Sequence, residues 1–425
     1  MNDKKLHVPQ LRFPEYNDSW ETKTLKQLCK WSKGSDLKKD KFNTEGKGNL
    51  AIHYGDLFNI HKGFISEKQI QTFTEYDEGT VIPKNSLLFP DSDVTPLGLA
   101  TASAIVAENV RASGGVIIGA VKEDYDAPFL SYQLNAKKES FYPYITGTTV
   151  RHISVSGLNF IKVNLPSLEE QQKIGNFFKD IDYSIAQLKL KHESLQKLQK
   201  FLVRNLFPVG SNIPDLRFKE FSKPWNTYTF SSLFNLKIST NSLSRDNLTE
   251  EQTAVKNIHY GDILLKYNFT LDAQQRDIPY IVNADPTKYE KTLLQDRDVV
   301  FADTAEDFSV AKCIEIENTN GVNIVAGQHT YAGRPLVETY PGFLGFVLNS
   351  PSFRNGIHPY FQGIKVYSIT KSNLNLSSVQ LPEDLEEQKK IVNLLQLFKD
   401  INIRLDKQIK YMQEFKQAMV QRMFI

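Results

Sequence analysis

The chain has 425 residues, 40% of them apolar and 24% charged, with a net charge of +2 and a pI near 8.2. That length exceeds one ordinary core and suits two to four domains, and the balance excludes a disordered chain. A stand-alone DNA-binding domain usually has a pI above about 9, so composition permits nucleic-acid binding only if cations gather on one face or partners supply positive field.

The first residues, MNDKKLHVPQLRF, include basic groups but no apolar core of a signal peptide. The most apolar runs, GGVIIGAV and GFLGFVLN, are far shorter than the roughly 20 residues of a membrane span. Cys29 and Cys313 stand alone without a CxxC pair, which predicts neither a disulfide framework nor a thiolate zinc site. The expectation is a cytoplasmic protein that does not enter membranes.

Along the chain, segments recur. LRFPEYNDSWETKTLKQLCK (11–30) aligns with LRFKEFSKPWNTYTFSSLFN (216–235), placing Trp20 on Trp225. IHYGD at 52–56 returns as IHYGD at 258–262, SLLFPDS (86–92) matches DVVFADT (298–304), and TGTTVRHIS (146–154) corresponds loosely to QGIKVYSIT (362–370). PSLEEQQKI (166–174) and PEDLEEQKKI (382–391) are two versions of one helix start. A period above 200 residues is far too long for a solenoid and means two domain-sized copies. The copies, 9–165 and 214–381, read as mixed α/β with more strand than helix, and helical signals fall near 21–31, 127–139 and 341–355. The stretches 60–145 and 265–360 hardly match, so one scaffold carries two different faces.

After each helix start the acidic first turn (Glu169, Glu170; Glu386, Glu387) suits the positive end of a helix dipole. A 4-3 apolar spacing then runs Ile174, Phe178, Ile181, Ile185, Leu188, Leu195, Leu202, Leu206, with breaks at His192 and Gln199. The second copy gives Ile391, Leu395, Phe398, Leu405, Ile409, Met412, Met419, Met423, with breaks at Asn402 and Lys416. Two coiled-coil seams of this length predict that the helices pack on each other, antiparallel about a pseudo-two-fold. The polar breaks set register or sit at a frayed or partner-facing stretch. The predicted fold class is α+β: two similar mixed α/β domains separated by two long antiparallel coiled-coil helices. The boundaries are 1–165, a central helix and linker at 166–213, 214–381, and a pairing helix at 382–425.

No catalytic signature appears. There is no [ND]PP[YF] or FxGxG of an amino-methyltransferase, no GxxxxGK[ST] phosphate loop, no nuclease-type acidic cluster, and no HExxH or HxxxH metal spacing. The chain is expected to bind rather than react, with no metal. In IHYGD, Gly55 and Gly261 suit a positive-φ turn that Asp56 or Asp262 caps; alternatively His53, Tyr54, His259 and Tyr260 reach a phosphate or base edge. Thr148, Thr149 and Arg151, and Lys365 and Tyr367, place hydroxyls and cations near a glycine, which suits phosphate or simply solvent. The acidic turns at Asp91 and Asp303 accept from cytosine amino groups or merely form turns. Arg334 completes the candidate DNA-binding set.

At the repeated LEEQ helix starts followed by long heptad helices, the whole chain resembles the specificity subunit of a Type I restriction-modification system. The two-copy layout, Trp20 and Trp225, and the Gly55-Asp56 and Gly261-Asp262 turns belong to the same resemblance. It implies two target recognition domains, each reading half of a split site in double-stranded DNA. It also implies a helix pair that spaces them and docks two methyltransferase subunits, with restriction/translocase subunits in the full complex. S-adenosylmethionine would be held by the methyltransferase partner, ATP and Mg by the translocase, and no cofactor by this chain. The alternatives are a fused or fragmentary restriction/methylation enzyme and a duplicated-domain scaffold protein.

Overall fold

The computed structural model describes residues 8–59 and 63–424; most of the N-terminal basic stretch lies outside them. The chain divides into two compact units, Met1–Leu190 with Asp406–Ile425, and Lys191–Leu405. Both long helices, Leu168–Asn205 and Leu385–Met423, therefore contribute to both units. By rise per residue each is about 57 Å long.

Each unit is built on a five-stranded sheet of the same order. In the first it runs Cys29–Lys33, Val116–Val121, Ser86–Pro90, Ser103–Ile105, Gly63–Ile65. In the second it runs Phe234–Ile238, Thr330–Pro335, Val299–Ala302, Cys313–Glu317, Thr270–Asp272. In both, only the last pair is parallel. The central strands are apolar on every residue but one, as a sheet covered on both faces demands. Each unit has a second, four-stranded sheet whose order differs: the first runs 73–74, 49–52, 111–112, 80–81, whereas in the second 280–281 sits between 248–249 and 256–258. Part of the divergence seen in sequence is thus a change of strand pairing in one layer.

Two sequence expectations need correction. The helical signal at 21–31 is a strand, one helical turn and another strand (Glu21–Thr24, Leu25–Leu28, Cys29–Lys33), because Glu21–Thr24 pairs with Lys162–Leu165 and Cys29–Lys33 joins the main sheet. The signal at 341–355 is two helices, Phe343–Leu348 and Pro351–Ile357, parted where Ser350 caps the second and Pro351 opens it. Ala127–Ala136 is a helix, capped by Asp126.

The LEEQ starts join each long helix to its unit. Glu170 is buried and accepts both guanidinium bonds of Arg12 at 2.7 Å; Glu387 does the same for Arg217 at 2.8 Å. Next to them Gln171 donates to the Pro166 carbonyl (2.9 Å) and accepts from the Asp126 N–H (3.1 Å), while Gln388 donates to Pro382 (2.8 Å) and accepts from Tyr340 (2.7 Å). Lys173 pairs with Glu15 and Lys390 with Glu220. The first Glu of each pair is exposed.

Within each unit the helix segments run antiparallel. In the first, the Phe178 and Phe424 rings stack 5.5 Å apart, and Lys416 bonds Asp182 (2.5 Å), which also accepts from Tyr132 (2.7 Å). In the second, Asn402 donates to Gln199 (2.9 Å) while Leu202 and Leu206 share a core with Ile391 and Leu395. Three of the four polar breaks, Gln199, Asn402 and Lys416, thus meet polar partners in the seam, as register-setting groups do; His192 bonds Gln196 one turn on. Ile174, Phe178, Ile181, Ile185, Leu202, Leu206, Ile391, Leu395, Leu405, Ile409 and Met423 are buried. Leu188, Leu195, Phe398, Met412 and Met419 are half-buried.

The ends of the helices complete the cores. Phe424 lies against Phe129, whose ring meets Trp20, and in the second unit Phe207 lies against Phe343 and Trp225.

Glu315 sits in the second unit's sheet, buried, accepting the N–H groups of Gly342 (2.8 Å) and Gly345 (3.0 Å). Burial dominates and pushes its carboxyl up to about 7. The folded chain therefore holds this proton above the pH at which the unfolded chain releases it. The resulting stability is complete below the ordinary carboxylate range and is lost as pH rises through about 7. Denaturation midpoints of the second unit should fall from pH 6 to pH 8, and Glu315→Gln should remove that fall.

Candidate nucleic-acid interface

The structure gathers most of the candidate residues at one edge of each unit through a chain of contacts that is the same in both. Asp91 and Asp303 are the first residues past the central strands Ser86–Pro90 and Val299–Ala302. Their carbonyls accept the N–H groups of Ile153 (3.1 Å) and Ile369 (2.9 Å), which end the TGTTVRHI and QGIKVYSI segments. Their own N–H groups donate to Gly115 (2.9 Å) and His329 (3.0 Å). Gly115 and His329 both take positive φ, +86° and +53°, just ahead of the neighbouring strand. Each then meets the IHYGD turn: a Cβ on Gly115 would come within 2.9 Å of the Tyr54 ring, and the His329 ring lies 5.2 Å from Tyr260. The sequence comparison missed Gly115 and His329, since only their backbone angle is shared.

Within the IHYGD turns the histidines are occupied locally. His53 Nδ1 accepts from Gly55 N–H at 3.1 Å and His259 Nδ1 from Gly261 N–H at 3.2 Å. Burial holds both imidazoles below their usual pKa, so each is the neutral cap of the helical turn that follows. Gly55 and Gly261 do not use positive φ, contrary to expectation. A Cβ at Gly55 would stand 3.2 Å from the capping ring nitrogen, a tight approach, whereas at Gly261 the distance is 3.4 Å, an ordinary contact. Asp56 accepts from the His53 N–H (3.0 Å), and Asp262 takes a bidentate pair from Arg245 (2.9 Å). Tyr54 and Tyr260 are half-buried.

The acidic turns satisfy much of their own polarity. Asp303 accepts from Thr304 (2.7 Å) and lies 3.4 Å from His329 Nδ1, and Asp307 accepts from Ser309 N–H (2.8 Å). Arg151 donates to the Val94 carbonyl at 2.7 Å, so it braces the hairpin. Tyr367 packs against Phe308 with ring centroids 4.7 Å apart and the planes tilted by 39°. Thr148, Thr149 and Lys365 are exposed.

Arg334 does not join this edge. It lies toward the far end of Thr330–Pro335 and forms a bidentate pair (2.8 and 2.7 Å) with fully buried Asp298, which would otherwise be an uncompensated charge. Arg334→Ala is expected to cost on the order of 2 kcal/mol of stability, measured by thermal melting.

Among the described residues no cluster of three His, Cys, Asp or Glu is placed to hold a metal ion, and no helix is long and apolar enough to cross a membrane. The two cysteines are buried, and burial pushes the Cys29 thiol up to about 12 and raises that of Cys313, so neither is a nucleophile near neutral pH.

Residues 17–199 match the family model of the Type I restriction modification DNA specificity domain. A stretch of 85 residues is 32% identical to the Type I restriction enzyme MjaVIII specificity subunit of Methanocaldococcus jannaschii, spanning 20% of this chain and 20% of that relative. The crystal structure of a Type I restriction-modification S subunit from M. genitalium aligns over 98% of this chain and 99% of its own, at 15% identity and a TM-score of 0.63. A chain from a type I R-M system whose complex assembly and conformational transition were described structurally aligns over 97% of this chain and 99% of its own, at 15% identity and a TM-score of 0.50. At these identities the structures establish the fold.

Proposed function

From the match of residues 17–199 to the Type I restriction modification DNA specificity domain, we propose that this chain is a specificity subunit of that family and that its two units read the two halves of an asymmetric, split DNA sequence. The observation that carries the reading is the pairing of one repeated framework with two different small sheets. Equal frameworks present their edges in equivalent ways, and unequal layers beside those edges supply different base contacts. A site read in two halves needs a spacer, and the two long helices supply it. Readers on such a spacer can address successive major grooves about 34 Å apart, leaving the base pairs between unread.

In this reading the chain does no chemistry. Exposed apolar groups on the long helices, Tyr183 and Tyr411 in the first unit and Phe201 and Leu397 in the second, await methyltransferase subunits. Those partners hold S-adenosylmethionine and flip the target base, and translocase subunits with ATP and Mg complete the assembly. The modest net charge fits a subunit whose phosphate contacts are shared with its partners.

The test is a binding assay on the chain with its methyltransferase, using a duplex that carries the sequence found methylated in the source genome and a scrambled duplex. Specific binding absent from either protein alone is expected; equal affinity for both duplexes overturns the reading. An enzyme in its own right would instead methylate DNA with S-adenosylmethionine and no partner.

A further inference from the structure

Both units carry the same small device just before the strand that leads to the long helix. In the first, Thr146 stands opposite His152 across a hairpin; in the second, Gln362 stands opposite Ser368 with the same loop length. Gly147 and Gly363 take φ of +95° and +109°. A Cβ there would lie 2.3 Å from the Val150 carbonyl oxygen and 1.9 Å from that of Val366, so both loops close too tightly for any residue but glycine. The stems are anchored by the Asp91 and Asp303 carbonyls and braced by Arg151 or by Tyr367 on Phe308. The tips are left bare. Val150 is 48% exposed, Ile364 91% and Val366 52%, beside exposed Thr148, Thr149 and Lys365.

Charge gives an independent observation. No Asp or Glu occurs from 140 to 168, nor from 339 to 382, although acids average roughly one residue in nine over the chain. These are the segments that contain the two hairpins, with Arg151, Lys162, Arg354, Lys365 and Lys371 as their cations. The acids beside the stems, Asp91 and Asp93 in the first unit and Asp303 in the second, belong to the neighbouring turns, so the part-apolar tips carry no carboxylate of their own to repel a polyanion whose groove is lined by sugars and base edges.

Resting on the DNA-recognition reading, we infer that the hairpins are a matched pair of DNA-contacting prongs that hold each half-site without reading it. Val150, and Ile364 with Val366, press on sugar and base edges in a groove, while Thr148, Thr149 and Lys365 meet phosphates. The contact is independent of sequence because the same backbone device serves two units whose neighbouring layers differ. A part common to both does not tell the two halves apart.

The test uses the full chain with its methyltransferase subunits, and the methylated-sequence and scrambled duplexes over a range of salt. Ile364→Ala combined with Val366→Ala should weaken binding to both duplexes by one common factor, on the order of tenfold, with an unchanged salt slope. Lys365→Ala should flatten the slope of log affinity against log salt by about 0.9. The methylated sequence should stay the same in both variants, and circular dichroism should match wild type because the tips are exposed. A loss confined to the methylated-sequence duplex, a changed methylated sequence, or wild-type affinity in the variants would each overturn the prongs. If the wild-type complex itself fails to prefer its sequence, the DNA-recognition reading falls first.

Discussion

Replacing Glu387 by alanine is expected to lower the stability of the second unit by about 3–5 kcal/mol, read from denaturant or thermal unfolding. Its carboxylate takes two bonds from Arg217 at 2.8 Å and a third from the Trp225 indole at 3.1 Å, all in a buried site. Without it, a largely buried guanidinium and a buried indole N–H lose their acceptor. Glu386→Ala, one residue earlier, should stay within about 0.5 kcal/mol, because that side chain is exposed and makes a surface pair with Lys389. Equal losses from the two would mean that the acidic pair acts through the helix dipole alone. Glu170→Ala should cost about 1 kcal/mol less than Glu387→Ala, since the Trp20 indole makes no corresponding bond.

Phe424→Ala is expected to cost about 3–5 kcal/mol, and to do so in the first unit, far from it in sequence. The ring lies 5.5 Å from both Phe129 and Phe178, in a core that also holds Trp20. Phe207→Ala should produce a matching loss in the second unit, where Phe207 meets Trp225 and Phe343. Hydrogen exchange separates the two. Protection should fall among the strands of the first unit for the Phe424 variant and among those of the second for the Phe207 variant. The opposite assignment would contradict the packing.

The repeat, the helix starts and the seam were legible in the sequence because each rests on spacing that side chains enforce locally. Leu25–Leu28 was harder: Glu21–Thr24 and Cys29–Lys33 carry a helix-compatible pattern, and only partners more than 80 residues away make them strands. Glu170 looked like a dipole-stabilising acid because Arg12, its partner, is 158 positions distant. Arg334 looked available for phosphate for the same reason, its partner Asp298 being visible only across the sheet. The histidines of IHYGD drew attention as polar groups on a turn, and their capping role needed ring geometry. What the sequence did hold was the absence of acids within both hairpin segments, a signal carried by what is missing rather than by a motif.

The shared ownership of the long helices has a consequence for biosynthesis. All residues of the second unit have been made once the ribosome passes Leu405, whereas the core of the first includes Met423 and Phe424. Domains made first ordinarily fold first. Here the earlier-made unit waits, incomplete, for the segment that closes it, and a chain truncated after Leu405 would hold every residue of the second unit while lacking part of the first unit's core.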